Sequence, residues 1–501
     1  MTFKKIILIY IAIFYVFTCK SQEMFDALSF SELPIQGTAR AMSMSGAFGA
    51  LGGEPTTLIT NPAGLGIYRS CEATLSLYNN YSQHKTSSNN NGNNCTALSQ
   101  ASYVHSILPN NKKVLVASNF AFSFNRLKNF QNKYNFNNSV SSSITNYIAK
   151  QANGISENAL LESNYPYENS RIGWLSALGY GNYLIKPSGL KQWEPMNNAQ
   201  VASKYKYAES GSLDEINFSY AANLAHWVYL GASVGIQMLE KATTSHYSEN
   251  FYSLNEEELL LRNKVVFVGV GWNLKLGVIA RPTSFFRIGF AYHTPTFYSI
   301  TQYNTTEMES RNVLNEKNAL VDVSSSTGDG YDKYQLQTPS RFLFSTAFIF
   351  KKKGVIDIDY ELIDYRTILY TDDFSTENFY NENLFIRNYA KINHTLRIGG
   401  EYRVLDFLSL RVGGAFSTPT NDNNTTKTLP KNTLRTDLES IATAWSYYIS
   451  GGIGFRWTYW GIDLAYQYQH QYATFTPFAG ATQSHLTNGY HNILLTGSFR
   501  F

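Results

Sequence analysis

The sequence of 501 residues is short of charge and of cysteine, and it holds no internal apolar run long enough to cross a bilayer as a helix. Asp, Glu, Lys and Arg make up 16% of it, against roughly a quarter in soluble domains. A formal net charge of only +4 excludes the basic footprint of a nucleic-acid binder. Three cysteines cannot make a disulfide framework, and the nine histidines show no metal-ligand spacing. No HExxH or P-loop string occurs and no Ser-His-acid arrangement stands out, so the sequence points to no enzyme and no cofactor site.

Aromatic side chains are abundant. They are 15% of the chain, led by 36 Tyr and 32 Phe, yet mean hydropathy is negative at -0.25. Many aromatics, few charges and no long apolar run fit a membrane β-barrel, in which only alternate residues meet lipid.

The first residues read as a secretory signal. Lys4 and Lys5 precede the apolar core Ile6 to Phe17, and Cys19 and Ser21 put small side chains at the −3 and −1 positions. Cleavage is expected before Gln22, giving residues 1–21 as signal peptide. A lipoprotein anchored at Cys19 is the alternative, though Phe17 and Thr18 suit a lipobox poorly. Cys71 and Cys95 would remain, at opposite ends of a hairpin and too distant to bridge.

Period-2 alternation dominates the rest of the chain. In Val266 to Ala280, Val266, Val268, Val270, Trp272, Leu274, Leu276 and Val278 share one face, and Gly269, Gly271, Asn273, Lys275 and Gly277 the other. Phe342, Phe344, Phe348 and Phe350 line one side of the next such segment. Ile356, Ile358, Tyr360 and Leu362 oppose Asp357, Asp359 and Glu361. Segments of this kind lie near 72-83, 95-108, 113-127, 213-226, 228-242, 264-281, 286-303, 339-351, 354-370, 391-404, 408-418, 443-457, 459-473 and 490-501. Their connections alternate between short turns and long loops rich in Asn, Ser and Thr, the largest spanning about 128–212. Short turns at one rim and long loops at the other mark outer-membrane barrels. A soluble sandwich shares the alternation but not strands this long. The expected fold is all-β: a 14-stranded antiparallel transmembrane β-barrel over residues 71–501, preceded by an N-terminal luminal plug over 22–70. The chain ends on a strand with a terminal aromatic, Phe501, which suits recognition by barrel-assembly machinery.

The segment "GTARAMSMSGAFGALGGEPTTLITNPAGLGIY" resembles the N-terminal plug, or hatch, of the FadL/TodX-type outer-membrane transport proteins, which carry long-chain fatty acids and aromatic hydrocarbons. Gly37, Arg40, Ala41, Gly46, Ala47 and the triplet Asn61-Pro62-Ala63 carry the likeness, and "RIGFAYHTPTFY" and "LRIGGEYRVLDFLSLRVGGAFSTP" add to it. The resemblance implies passive, plug-gated uptake of hydrophobic small molecules, with lateral exit through a kinked strand and no energy coupling. It also implies a monomer in contact with outer-membrane lipids and lipopolysaccharide. Gly37, Arg40, Gly46, Asn61, Pro62 and Ala63 are the expected plug or gate residues, Arg40 and Asn61 pinning plug to wall. Arg287, Arg397, Arg403 and Arg411 are candidate cations for a ligand carboxylate, although lumens are commonly charged simply because they are wet. Trp174 and Leu175 in the large loop are candidates for an outer ligand groove, or else they pack that loop against itself. The alternative function is a surface receptor or adhesin whose extracellular loops bind haemin or host molecules.

Overall fold

The computed structural model describes residues 23–501 except 87–88, 111–113, 162–166, 168–171, 254, 352 and 373–376. The signal-peptide expectation and parts of two short turns lie outside the described residues.

Fourteen strands close into one antiparallel barrel. They are β1 (Glu72–Lys85), β2 (Asn90–Ile107), β3 (Leu115–Asn129), β4 (Val201–Leu224), β5 (Val228–Phe251), β6 (Glu258–Ala280), β7 (Phe286–His293 continuing as Phe297–Leu314) and β8 (Leu320–Gln337 continuing as Arg341–Phe350). The circuit goes on through β9 (Gly354–Asp364 and Leu369–Thr371), β10 (Ile392–Leu405), β11 (Leu408–Ser417), β12 (Ser440–Arg456), β13 (Trp460–Thr476) and β14 (Ser484–Arg500). Closure is made by β14 on β1, from Glu72 opposite Arg500 to Lys85 opposite Thr487. All fourteen expected strands are present.

Alternation explains the wall. Leu75, Phe122, Phe218, Val270, Phe344 and Ile449 point outward and are exposed, while Asn119, Asn217, Asp357, Asp359 and Gln467 point inward and are buried. Trp227, Trp457, Tyr459, Trp460 and Phe501 are exposed near the short turns, the belt expected where a barrel meets the bilayer surface. Cys71 and Cys95 are both free thiols.

The strands reach further than their apolar-outward stretches. β4 and β5 are 24 residues each, and Asn132–Ser141 adds a short strand beside β4. The segment between the strands is therefore about 142–200, not 128–212. In these extensions the alternation inverts: Tyr205 and Tyr207 point in and are buried, and Lys204 and Lys206 point out. Beyond the bilayer the outer face meets water, while the inner face packs on protein.

That protein is a lid. Helices α3 (Ile144–Ala152), α4 (Glu157–Leu161) and α5 (Trp174–Gly181) and a small hairpin (Ile185–Pro195) share a core with the tops of the strands, including Ile148, Leu178, Trp193, Phe251, Leu261 and Phe475. Ser143 caps α3 by accepting from the Thr145 N–H at 3.1 Å, which satisfies one of its free amides.

Candidate functional site: the barrel interior

Residues 23–70 pass through the lower barrel as helices α1 (Met24–Ser31) and α2 (Ala39–Met42) followed by two short 3-10 turns, Pro55–Leu58 and Pro62–Ile67. Such irregular backbone carries many unpaired amides and carbonyls, and the wall supplies partners for them. Asp359 of β9 accepts from the Phe48 and Gly49 amides, at 3.0 and 3.1 Å. Asp357, two residues earlier and on the same inward face, accepts from Ala50 and Leu51, both at 3.3 Å. Asn119 of β3 donates to Leu65 O at 2.7 Å, His293 lies 2.7 Å from Thr60 O, and Ser99 donates to Gly37 O at 2.7 Å. Wall glycines let the segment come this close: a side chain at Gly277 would collide with Asn61, and one at Gly413 with the Met44 backbone.

The expected plug residues sort by what they touch. Arg40 makes a bidentate pair with Glu401 of β10, at 2.9 and 3.1 Å, and Glu401 is held in turn by Arg411, which also pairs with Asp463. Asn61 is fully buried. Its side chain donates to Gly49 O at 2.7 Å and accepts from Ala63 N at 3.2 Å, so it caps the turn that Pro62 begins and ties two arms of the segment together. Its contact with the wall, at Val278 O, is longer at 3.5 Å. Gly37 and Gly46 have φ of 152° and 76°, and a side chain on either would strike Thr56 or Ile35. Glu54 is buried against the Thr38 hydroxyl and Thr56 N–H; burial pushes its pKa up to about 7 against the pull of those donors and of Arg40.

The candidate ligand residues fare differently. Arg287 donates to Leu51 O, and Arg397 pairs with Glu361. Arg411 is spent on Glu401 and Asp463. Arg403 is exposed beside the β10–β11 turn, and so does not join the lumen constellation. Trp174 and Leu175 are buried in the lid core, Trp174 donating to Tyr167 O at 3.0 Å, so they pack the loop rather than form an outer groove.

Above the N-terminal segment lies a chamber of about 290 Å³. Its floor is α1 and the chain as far as Gln36. From above, residues 418–439 fold inward against it. Arg435 on this stretch is fully buried, donating to Asp26 of α1 at 2.6 Å and to Asp437 at 2.6 Å, and Asp437 also holds Lys427 at 2.6 Å. An ion-pair cluster thus joins the outer loop to the N-terminal segment. Sequence reasoning missed it, because Arg435 stands alone in a Thr- and Asn-rich loop with no alternation around it.

The backbone ladder of the wall is interrupted beside this chamber, where side chains still tie β2 to the chain around and past the end of β3, through Cys95 with Asn129 and Asn93 with Gln131 O. β2 pairs with β1 from Asn90 to Val104, but with β3 only from Gln100 to Ile107. Past Asn125, β3 turns away: Lys128 points in to donate to Ser29 O at 2.7 Å and Glu32 O at 3.1 Å, and Asn129 bonds Tyr78 across the gap. A second irregularity pairs Thr294-Pro295-Thr296 in β7 with Thr338-Pro339-Ser340 in β8. Proline has no N–H to give a ladder, and there Thr296 N donates to Thr338 Oγ1 at 2.9 Å instead. A cavity of about 100 Å³ lies against that kink.

A FadL homologue from Pseudomonas aeruginosa matches this architecture with a TM-score of 0.50 at 14% identity, over 94% of this chain and 99% of that one. The fold is that of the FadL-type barrels. A TodX monoaromatic hydrocarbon channel, in its deltaS2 mutant form, gives 0.50 at 13% identity over 93% and 99%. The Ralstonia pickettii toluene transporter TbuX gives 0.49 at 13% over 93% and 99%. These neighbours are transporters and channels rather than enzymes, and the FadL-type fold is one of outer-membrane barrels. Neither a protein-family model nor a curated protein matches the chain. Among the described residues no group of three His, Cys, Asp or Glu could hold a metal ion.

Proposed function

We propose that the protein is an outer-membrane channel through which hydrophobic small molecules enter by diffusion, with residues 22–70 as its plug. The observation that carries this reading is the pairing of an occluded lumen with a chamber that borders the β2–β3 interruption. Fourteen strands enclose more than side chains can fill, and the N-terminal segment occupies the excess. A ligand reaching the chamber would meet the plug below and the break in the β2–β3 ladder at its side, so the favoured route is lateral exit into the membrane, gated by movement of the plug that floors the chamber. Of the candidate cations, Arg397 is the one that borders the chamber. Gly37, Arg40, Gly46 and Asn61 to Ala63 act as plug residues. Residues 1–21 serve as a cleaved signal, Phe501 as the assembly signal, and the barrel works as a monomer among outer-membrane lipids and lipopolysaccharide.

The test is entry of labelled toluene and labelled oleate into liposomes carrying the purified protein. Entry of either faster than into protein-free liposomes is expected. Rates no faster than the protein-free ones for both compounds would overturn the reading.

A further inference from the structure

The chamber has two unlike sides. Phe25 and Leu28 of α1, Phe130 and Phe267 give it an apolar side. Facing them, β1 and β10–β14 present uncharged hydrogen-bonding groups, among them Asn80, Thr395, Tyr448, Gln469, Gln471 and Tyr490. The Gln469 and Gln471 amides make no side-chain hydrogen bond to another described residue. They point inward on alternate positions of β13, between the buried Gln467 and Ala473.

The cations around the chamber are already engaged. Lys128 holds two plug carbonyls, and Lys241 holds Glu209 at 2.8 Å and Ser29 Oγ at 2.9 Å. Arg397 holds Glu361, and Lys427 and Arg435 share Asp437. At Lys241, Arg397, Lys427 and Arg435 an entering carboxylate would have to break a buried pair, stranding the partner charge in a low-dielectric space, and at Lys128 it would have to displace the two plug carbonyls. A hydrocarbon meets the opposite difficulty: it would displace water from the amide and hydroxyl wall and return no hydrogen bond. Both costs vanish for a molecule that is apolar on one side and carries uncharged hydroxyl or amide groups on the other.

We infer that the chamber selects an uncharged amphiphile bearing hydroxyl or amide groups, with Gln469 and Gln471 as polar contacts. This rests on the channel reading above and narrows its ligand class. The probes are labelled phenyl glucoside, octanoate and toluene, each titrated into the whole protein in lipid nanodiscs, with binding to empty nanodiscs subtracted. Phenyl glucoside is expected to bind saturably and at least tenfold more tightly than octanoate. The double variant Gln469→Leu/Gln471→Leu should weaken phenyl glucoside about tenfold, the loss of two modest hydrogen bonds, without weakening toluene. Unchanged heat-modifiable gel mobility shows that this variant is folded, and Gln469→Asn/Gln471→Asn should restore part of the affinity. Octanoate or toluene binding more tightly than phenyl glucoside, or a double variant that binds it normally, overturns the inference and leaves the channel reading standing. Saturable binding of none of the three overturns both.

Discussion

The lower and upper halves of this lumen solve different problems with the same strands. Below, the wall meets the plug with carboxyl groups: Asp357 and Asp359 accept from plug amides, Glu401 pairs with Arg40, and glycines clear the path. Above, beside closed ion pairs such as Arg397–Glu361 and Lys241–Glu209, β10–β14 also offer uncharged amides and hydroxyls, some without a protein partner. A site that must hold one object in one place uses paired charge, since removing either partner is costly. A site that must bind and release uses groups that exchange readily with water. The contrast separates the part of the barrel that holds from the part that passes.

Breaking the holding half should have the largest effect. Asp357→Ala with Asp359→Ala strips the carboxyl acceptors from four plug amides, each such bond contributing about 0.5–1.5 kcal/mol. Single-channel conductance in planar bilayers is expected to rise as the plug leaves its seat. A closed channel in this variant would show that the wall carboxylates do not hold the plug. Arg435→Ala comes next. It leaves Asp26 and Asp437 buried without their guanidinium, a loss of about 3–5 kcal/mol. Limited proteolysis should then cut within 418–439, where the native protein resists.

Asn61→Ala removes one buried donor and a turn cap, about 1–2 kcal/mol together. Because Asn61 ties plug to plug more than plug to wall, toluene entry should change severalfold while the thermal gel shift of the barrel stays put. Glu54 gives the smallest and most specific effect. Its carboxyl titrates near 4.5 when exposed and at about 7 in its buried place. The stability it lends the plug is therefore complete below pH 4.5 and is lost as pH rises through 7. Hydrogen exchange of residues 37–67 should quicken over that range in the native protein, and Glu54→Gln should flatten the profile.

The barrel was legible because lipid imposes apolar-outward alternation, which survives in strands such as Val266 to Ala280. The outer reaches of β4 and β5 were not, because water outside and lid inside reverse the pattern around Lys204, Tyr205, Lys206 and Tyr207. Single residues were harder. Arg40 stood in a recognisable segment, whereas Arg435 acts through Asp26, a residue 409 positions away. Pairings of that separation leave no local pattern. Arg287, Arg397 and Arg411 were visible as lumen charge, but only the structure shows each one engaged.

The central claim is that the plug must move for ligand to pass, and Ser45 and Ser450 allow a direct test. Their hydroxyls are 2.7 Å apart across the plug–wall contact. Ser45→Cys with Ser450→Cys, in a background of Cys71→Ala and Cys95→Ala, would place a reducible bond there. Toluene entry into proteoliposomes is predicted to stop on oxidation and return on reduction. Equal entry in the oxidised and reduced states would contradict the account.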